Sequence, residues 1–399
     1  MADTIMVVGY FGPRFIAEGI AEGFEQRGCK VIRISAEPCA PMRIERRIPN
    51  SDKLIVRDPG KYDLHVMDDY VKARIIHGSN HEQLTEASKL QLNFRRLRLR
   101  DYTDRFPCNK IFFIQNMLSW DFENVTTPLY YYHTDIISTN LPLHAERITG
   151  FFYAYEDAFD EMMDSHPYEA HHWHWKEFIT YGFSPNIHTL ANNDWESRPI
   201  LCGFMGSMAQ NNRSKNGLRA HIYDNRNNVL KELHSFLKDE FVLQKMGPFE
   251  DYVAFLHQCK IGVNVPGTYG KWNQRMFEIP ACGALLLQWN FPELETIGLI
   301  DGENCLTFDS IETLFDRLNQ VTQNPVEANT IRLAGIKWVY ENHHTYQDRG
   351  QQFYDRIIRD TTVEEKERIA YIEYEKRKER DPELKEEYLV QMIKVGMGK

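Results

Sequence analysis

The chain has 399 residues, 42% hydrophobic and 26% charged, an ordinary globular composition with length for two or three domains. The formal net charge of -10 gives no general attraction to nucleic acid or anionic membrane, no apolar run is long enough to span a bilayer, and no signal peptide opens the sequence. The seven cysteines are scattered without CxxC pairs, which speaks against a disulfide framework and for reduced thiols in a cytoplasmic compartment.

In chain order, Thr4 to Val8 reads as a buried strand, Gly9 to Pro13 as a turn, Phe15 to Arg27 as an amphipathic helix and Val31 to Ile34 as a second strand. This βαβ opening fits a doubly wound α/β domain. Gly9 and Gly12 lack the third glycine of a dinucleotide fingerprint, so the loop is read as a tight strand-to-helix turn. Leu64 to Met67 is a short strand, and Asp68-Asp69 after it is a solvated turn rather than a metal site. Gln83 to Arg100 reads as a long helix ending in Arg95-Arg96-Leu97-Arg98-Leu99-Arg100, cations that suit a helix C-terminus or a patch for a polyanionic acceptor. Arg96 and Arg100 would share a face of that helix.

Lys110 to Gln115 and Pro128 to Tyr132 are buried strands. The second leads into His133-Thr134-Asp135, and side chains past the carboxyl end of a strand face a ligand crevice. His133 and Asp135 are therefore candidate catalytic residues, set against a hydrogen-bonded histidine with a capping aspartate. Ile148 to Met163 reads as a helix with an aromatic face. His171-His172-Trp173-His174-Trp175 has no converging Cys or Glu pattern and is read as an aromatic segment, not a zinc site. Ile200 to Met205 is a strand, Gly217 to Tyr223 and Asn228 to Leu237 two helices, Phe241 to Leu243 a strand and Phe249 to Gln258 a helix.

Ile261 to Val265 is then a strand, followed by a glycine-containing polar loop, a short helix from Arg275 to Cys282 with Pro280 inside it, a stop at Gly283 and a strand from Ala284 to Leu287. Arg275 and Glu278 lie at i and i+3 on one helix face. A cation with a carboxylate suits a nucleoside diphosphate, arginine for phosphate and carboxylate for ribose hydroxyls. Helices at Ile311 to Val321, Thr330 to Asn342 and Gln351 to Arg359 follow. Thr361 to Lys399 is dense in Glu, Lys and Arg, with a break at Asp381-Pro382, and reads as two charged helices, a solvated appendage or a dimerisation arm.

The run N-x-R-x-F-E-x-x-A-C-G from Asn273 to Gly283 resembles the donor-site signature of GT-B glycosyltransferases, nearest the CgeB-like, spore-maturation-type group. Phe204-Met205-Gly206-Ser207 with Arg213 resembles the first strand and glycine loop of the nucleotide-binding half, and His343 to Arg349 resembles the run that closes it. The resemblance covers roughly Pro199 to Ile358. It implies two Rossmann-like doubly wound domains facing a cleft, with a charged helical C-terminal extension. The expected bounds are 1–190 for an acceptor-side domain, 199–345 for a donor domain and 346–399 for helices that partly cross back.

The function so implied is transfer of a hexosyl or pentosyl group from a nucleotide-sugar, expected to be UDP-linked, with no cofactor and no metal. Glu278 would hold ribose; Arg275, Asn273, Gly206, Ser207, Arg213, Lys215, Cys282 and Gly283 would complete the donor site. Gly12, Arg14, Arg96 and Arg100 would lie on the acceptor side, for a small metabolite, a surface glycan, a protein or a hydroxymethylated DNA base. Many retaining relatives carry a second acid eight residues before the ribose glutamate, and Gly270 stands there. That departure motivates the rival reading, a non-catalytic protein that kept a nucleotide pocket.

Overall fold

The computed structural model describes residues 3–9, 16–35, 64–65, 97–114, 120–134, 141–154, 172–190, 194–206, 218–245, 249–265, 272–360 and 374. The chain divides into two compact units. The first comprises 1–153, 159–178 and 350–399, and the second 154–158 and 179–349.

The first unit is built on a seven-stranded sheet. Its strands are β1 (Thr4–Gly9), β2 (Lys30–Ser35), β3 (Leu64–His65), β5 (Lys110–Ile114), β7 (Leu129–His133), β8 (Gly150–Tyr153) and β9 (Trp175–Phe178). They pair in the order β3-β2-β1-β5-β7-β8-β9, parallel throughout. Every residue of β5 and β7 is buried, as a parallel sheet covered on both faces requires. Met6, Val8, Ile111, Phe113, Leu129 and Tyr131 belong to one core cluster with Trp120 and Phe122. Elsewhere in the sheet Phe112 meets Phe24 of helix α1 (Ile16–Gln26) with centroids 5.2 Å apart. Phe353 of the last helix stands 4.9 Å from Phe112, 4.7 Å from Tyr132 and 4.6 Å from Phe152.

Three readings of this unit change. The segment after Ile148 is strand β8 over Gly150–Tyr153, not a helix, because an unbroken Phe-Phe-Tyr run fits a buried strand as well as a helix. Residues Leu97–Arg98 form a short strand, β4, paired with β6 (Trp120–Asp121). Helix α2 starts only at Leu99 and ends at Arg105. Arg100 therefore sits in the first turn of a helix, and no single helix carries Arg96 and Arg100 on one face. Trp173 and Trp175 are buried; Trp173 stacks on Phe151 at 4.1 Å, as an aromatic segment should.

The second unit has five parallel strands, β10 (Ile200–Gly206), β11 (Phe241–Lys245), β12 (Cys259–Asn264), β13 (Leu285–Trp289) and β14 (Leu306–Phe308), in the order β11-β10-β12-β13-β14. The crossovers are helices α3 (Leu218–Leu237), α4 (Phe249–Gln258) and α5 (Arg275–Ala281). α3 is one helix, not two: Val229, Leu230 and Leu233 pack on Cys202, Phe204 and Ile261, and that burial overrides the poor helix propensity of Asp224 to Asn228. Helices α6 (Ile311–Gln323) and α7 (Pro325–Glu341) follow. Helix α8 (Tyr346–Asp360) begins in this unit and continues in the first. Thr345 and Asp348 cap it reciprocally: Thr345 N donates to Asp348 Oδ2 at 3.0 Å, and Asp348 N donates to Thr345 Oγ1 at 3.0 Å. The His343 to Arg349 run is thus first of all a helix start.

Candidate donor site at the switch point of the second sheet

The chain leaves β10 towards β11 and returns on the other side of β10 as β12. Ligands of open α/β sheets bind outside the carboxyl ends of strands where the order reverses in this way. Gly206 closes β10, and α5 follows β12.

Arg275 is the first residue of α5, and its guanidinium lies over the Phe204 ring, 4.9 Å from the centroid. A Cβ on Gly206 would stand 3.1 Å from Arg275 Nη2 and 2.9 Å from the Phe204 ring, so glycine is what admits the arginine here. Arg275 N donates to Asn273 Oδ1 at 3.0 Å. That bond commits the oxygen of the Asn273 amide and turns its nitrogen elsewhere. Asn273 Nδ2 and Arg275 Nη1 are both buried, and neither has a hydrogen-bond partner among the described residues. A buried donor left unmade costs about 1–3 kcal/mol. Both donors belong to the segment that follows β12 at the carboxyl end of the sheet, where ligands of such sheets bind.

Glu278 sits in the first turn of α5 and is 3% exposed. Tyr252 Oη of α4 donates to its Oε2 at 2.9 Å, and His188 Nε2 stands 3.4 Å from its Oε1. His188 is the residue sequence reasoning missed. It lies in a turn, where Ile187 N and His188 N bond back to Ser184 O, and no motif marks it. Its backbone carbonyl and that of Ala281 both face Tyr340 Oη, at 2.9 and 3.0 Å.

Cys282 and Gly283 are also buried, but they serve the helix end. Gly283 has φ +79°; its N donates to Pro280 O at 2.9 Å, and Ala284 N donates to Ile279 O at 3.1 Å, the paired bonds of a left-handed C-terminal cap. Pro280 thus lies within α5 without ending it early. Burial, with Glu278 nearby, holds the Cys282 thiol well above its usual range, so it is an inert thiol.

His133 is the last residue of β7, 7% exposed, with Tyr131 and Phe151 as ring neighbours. Burial pushes its pKa down to about 3. It is neutral at physiological pH and a poor proton acceptor, which does not suit a general base. Arg100 is exposed and lies 3.5 Å from Asp104 one turn on. Gly12, Arg14, Arg96, Asp135, Ser207, Arg213, Lys215 and Gly270 lie outside the described residues. No group of three or more His, Cys, Asp or Glu side chains suited to a metal is present among the described residues, and none of their helices is long and apolar enough to cross a membrane.

Residues 210–355 match a family described as glycosyl transferase-like. No curated protein sequence matches the chain. Three solved structures are similar over nearly their whole length. Sucrose-phosphate synthase from Thermosynechococcus elongatus is 12% identical, covers 89% of this chain and 99% of its own, and has a TM-score of 0.52. A glycosyltransferase from Rickettsia africae is 10% identical, with coverages of 90% and 98% and a TM-score of 0.51. The trehalose-6-phosphate structure from E. coli bound with UDP-2-fluoro glucose is 10% identical, with coverages of 90% and 99% and a TM-score of 0.51. The two parallel-sheet α/β units have the GT-B fold. The family match supports glycosyl transfer in general terms.

Proposed function

We propose that the protein is a glycosyltransferase of the spore-maturation-type group, moving a hexosyl or pentosyl unit from a UDP-sugar to an acceptor bound by its N-terminal unit. The observation that carries this reading is the pair of buried donors, Arg275 Nη1 and Asn273 Nδ2, that have no partner among the described residues at the carboxyl end of the second sheet. Arg275 would take the diphosphate, whose negative charge grows as the bond to the sugar breaks; a fixed guanidinium stabilises that charge most where it develops. Arg213 and Lys215, which follow β10 in the sequence, would add to it. Glu278 would accept from the ribose hydroxyls, since a carboxylate that accepts from Tyr252 and faces His188 keeps further lone pairs for them. A retaining course needs no protein base. An inverting course would use Asp135, two residues beyond β7, rather than His133. The free cysteines, buried at 29, 202, 259, 282 and 305, support a reducing, cytoplasmic setting.

The test is incubation with a panel of nucleotide-sugars, watching for released nucleotide. Slow release from one donor without acceptor, quickened by the right acceptor, is the expected result. Tight binding with no turnover across the panel would assign a nucleotide-binding protein instead.

A further inference from the structure

Three separate elements converge on one buried carboxylate: the turn carrying His188, helix α4 carrying Tyr252, and helix α5 carrying Glu278 itself. We propose that His188 and Tyr252 are positioning residues that fix the Glu278 carboxylate for recognition of a vicinal diol, the ribose of a nucleoside diphosphate. This rests on the reading of Glu278 as the ribose ligand given above.

The tautomer of His188 follows from its other nitrogen. Ser184 N lies 3.2 Å from His188 Nδ1 and Ser184 O lies 3.1 Å from it. If Nδ1 accepts from the Ser184 amide, the ring is neutral and its proton is on Nε2. If Nδ1 donates to the carbonyl, the ring must be an imidazolium, since a bare Nε2 would set a lone pair against a carboxylate. Either way the proton is on Nε2, 3.4 Å from Glu278 Oε1, an electrostatic contact rather than a closed hydrogen bond. The Tyr252 hydroxyl presents another to the second oxygen. Tyr252 thus hydrogen-bonds one carboxylate oxygen and His188 stands within ion-pair range of the other, and these two contacts set the plane and rotamer before a ligand arrives. Such pre-set geometry is what lets a diol be told from a deoxygenated sugar.

The imidazole is 1% exposed and the phenol 1%, so neither can itself reach a ligand from solvent, and both act through Glu278. A single carboxylate turned by a few tens of degrees would still bind one hydroxyl but not two at once.

The experiment is calorimetric titration of the full chain with UDP and with 2′,3′-dideoxy-UDP, read as the ratio of the two affinities. The parent should prefer UDP by about tenfold or more. His188→Leu and Tyr252→Phe should each shrink that ratio by at least about threefold while dideoxy-UDP binding holds. His188→Gln, which keeps a donor near the place of Nε2, should restore most of it. If His188→Leu does not fold, Tyr252→Phe and His188→Gln still decide. A parent ratio that Glu278→Gln removes and Tyr252→Phe and His188→Leu leave intact would overturn the positioning role and spare the ribose assignment. Equal weakening of both nucleotides would mark the two side chains as merely structural and overturn it as well. A parent that does not distinguish the nucleotides, or a ratio that survives Glu278→Gln, would overturn the ribose reading and this inference together.

Discussion

Arg198 Nη2 stands 2.6 Å from where a Cβ on Gly283 would be, and donates to Cys282 O at 3.0 Å. The same guanidinium uses Nη1 on Leu256 O at 3.0 Å and Cys259 O at 2.8 Å. A buried cation thus closes the carbonyl ends of α4 and α5 together, beside a glycine whose left-handed backbone disfavours any side chain. Arg332 holds the other side, donating through Nη1 to Gly283 O at 2.8 Å.

Gly283→Ala should therefore be destabilising on two counts. Its φ of +79° is worth roughly 1–2 kcal/mol against any residue with a Cβ, and the contact with Arg198 adds to that. Urea unfolding should show a lower midpoint with an unchanged slope.

Arg275→Ala and Glu278→Gln should weaken UDP binding roughly ten- to a hundredfold each, the usual effect of losing hydrogen bonds to a charged group. Glu278→Gln is preferred to Glu278→Ala because alanine would strand Tyr252 and His188 in a buried space. Calorimetry measures the affinity, and circular dichroism checks the fold. Unchanged affinity in both folded variants would remove the donor site from α5.

Stability should fall with acid before any carboxylate titrates. Burial pushes the pKa of His133 down to about 3, and burial followed by Arg349 and His343 does the same to His344. Arg349 Nη2 donates to His344 Nδ1 at 2.8 Å, which needs that nitrogen bare. The ordinary value is 6.5, so the unfolded chain takes up these protons first. Their contribution to stability is complete above pH 6.5 and is lost as pH falls from there towards 3. Urea midpoints between pH 7.5 and 4.5 should decline, and less steeply in His344→Asn, which keeps an acceptor for Arg349.

Turnover should survive a chelator. The positive charge for the leaving diphosphate comes from Arg275 in the proposed mechanism, with Arg213 and Lys215 assigned to the same task. Activity abolished by chelation and restored by magnesium or manganese would reassign that charge.

The arginine-rich segment gives a test of the acceptor side. Changing Arg96 and Arg100 together to Ser should leave UDP affinity within about twofold, since neither is a member of the proposed donor site. Gel shifts of the parent and this variant with duplex and single-stranded DNA at two salt concentrations then report on a polyanionic acceptor. Binding by the parent that falls steeply with salt and disappears in the variant would place DNA on these arginines.

The βαβ cores were legible because Ile261 to Val265 and Leu285 to Leu287 are apolar runs bounded by Pro, Gly or Asn, and tertiary packing had only to agree with them. The run from Asn273 to Glu278 could be singled out for a related reason: Asn273, Arg275 and Glu278 lie within one turn and a half of each other. β8 was misread because four residues cannot carry a period. α2 was misread because the arginines of its neighbourhood say nothing about where an extended segment ends. His188 left no trace, since what matters about it is a contact 90 residues away in sequence with Glu278.

Helix α8 gives the first unit a peculiar order of completion. Phe353 fills the space among Phe112, Tyr132 and Phe152, while the Arg356 guanidinium lies 3.8 Å from the centre of the Trp175 ring and pairs with Glu177. On a ribosome, the sheet that is made first lacks these residues until the second unit has been synthesised. The second unit, made later, has all of its residues first. Domains emerging in turn usually fold in turn; here the N-terminal sheet waits with an aromatic gap for its final helix, and a nascent chain stalled before Gly350 should expose that gap to chaperones.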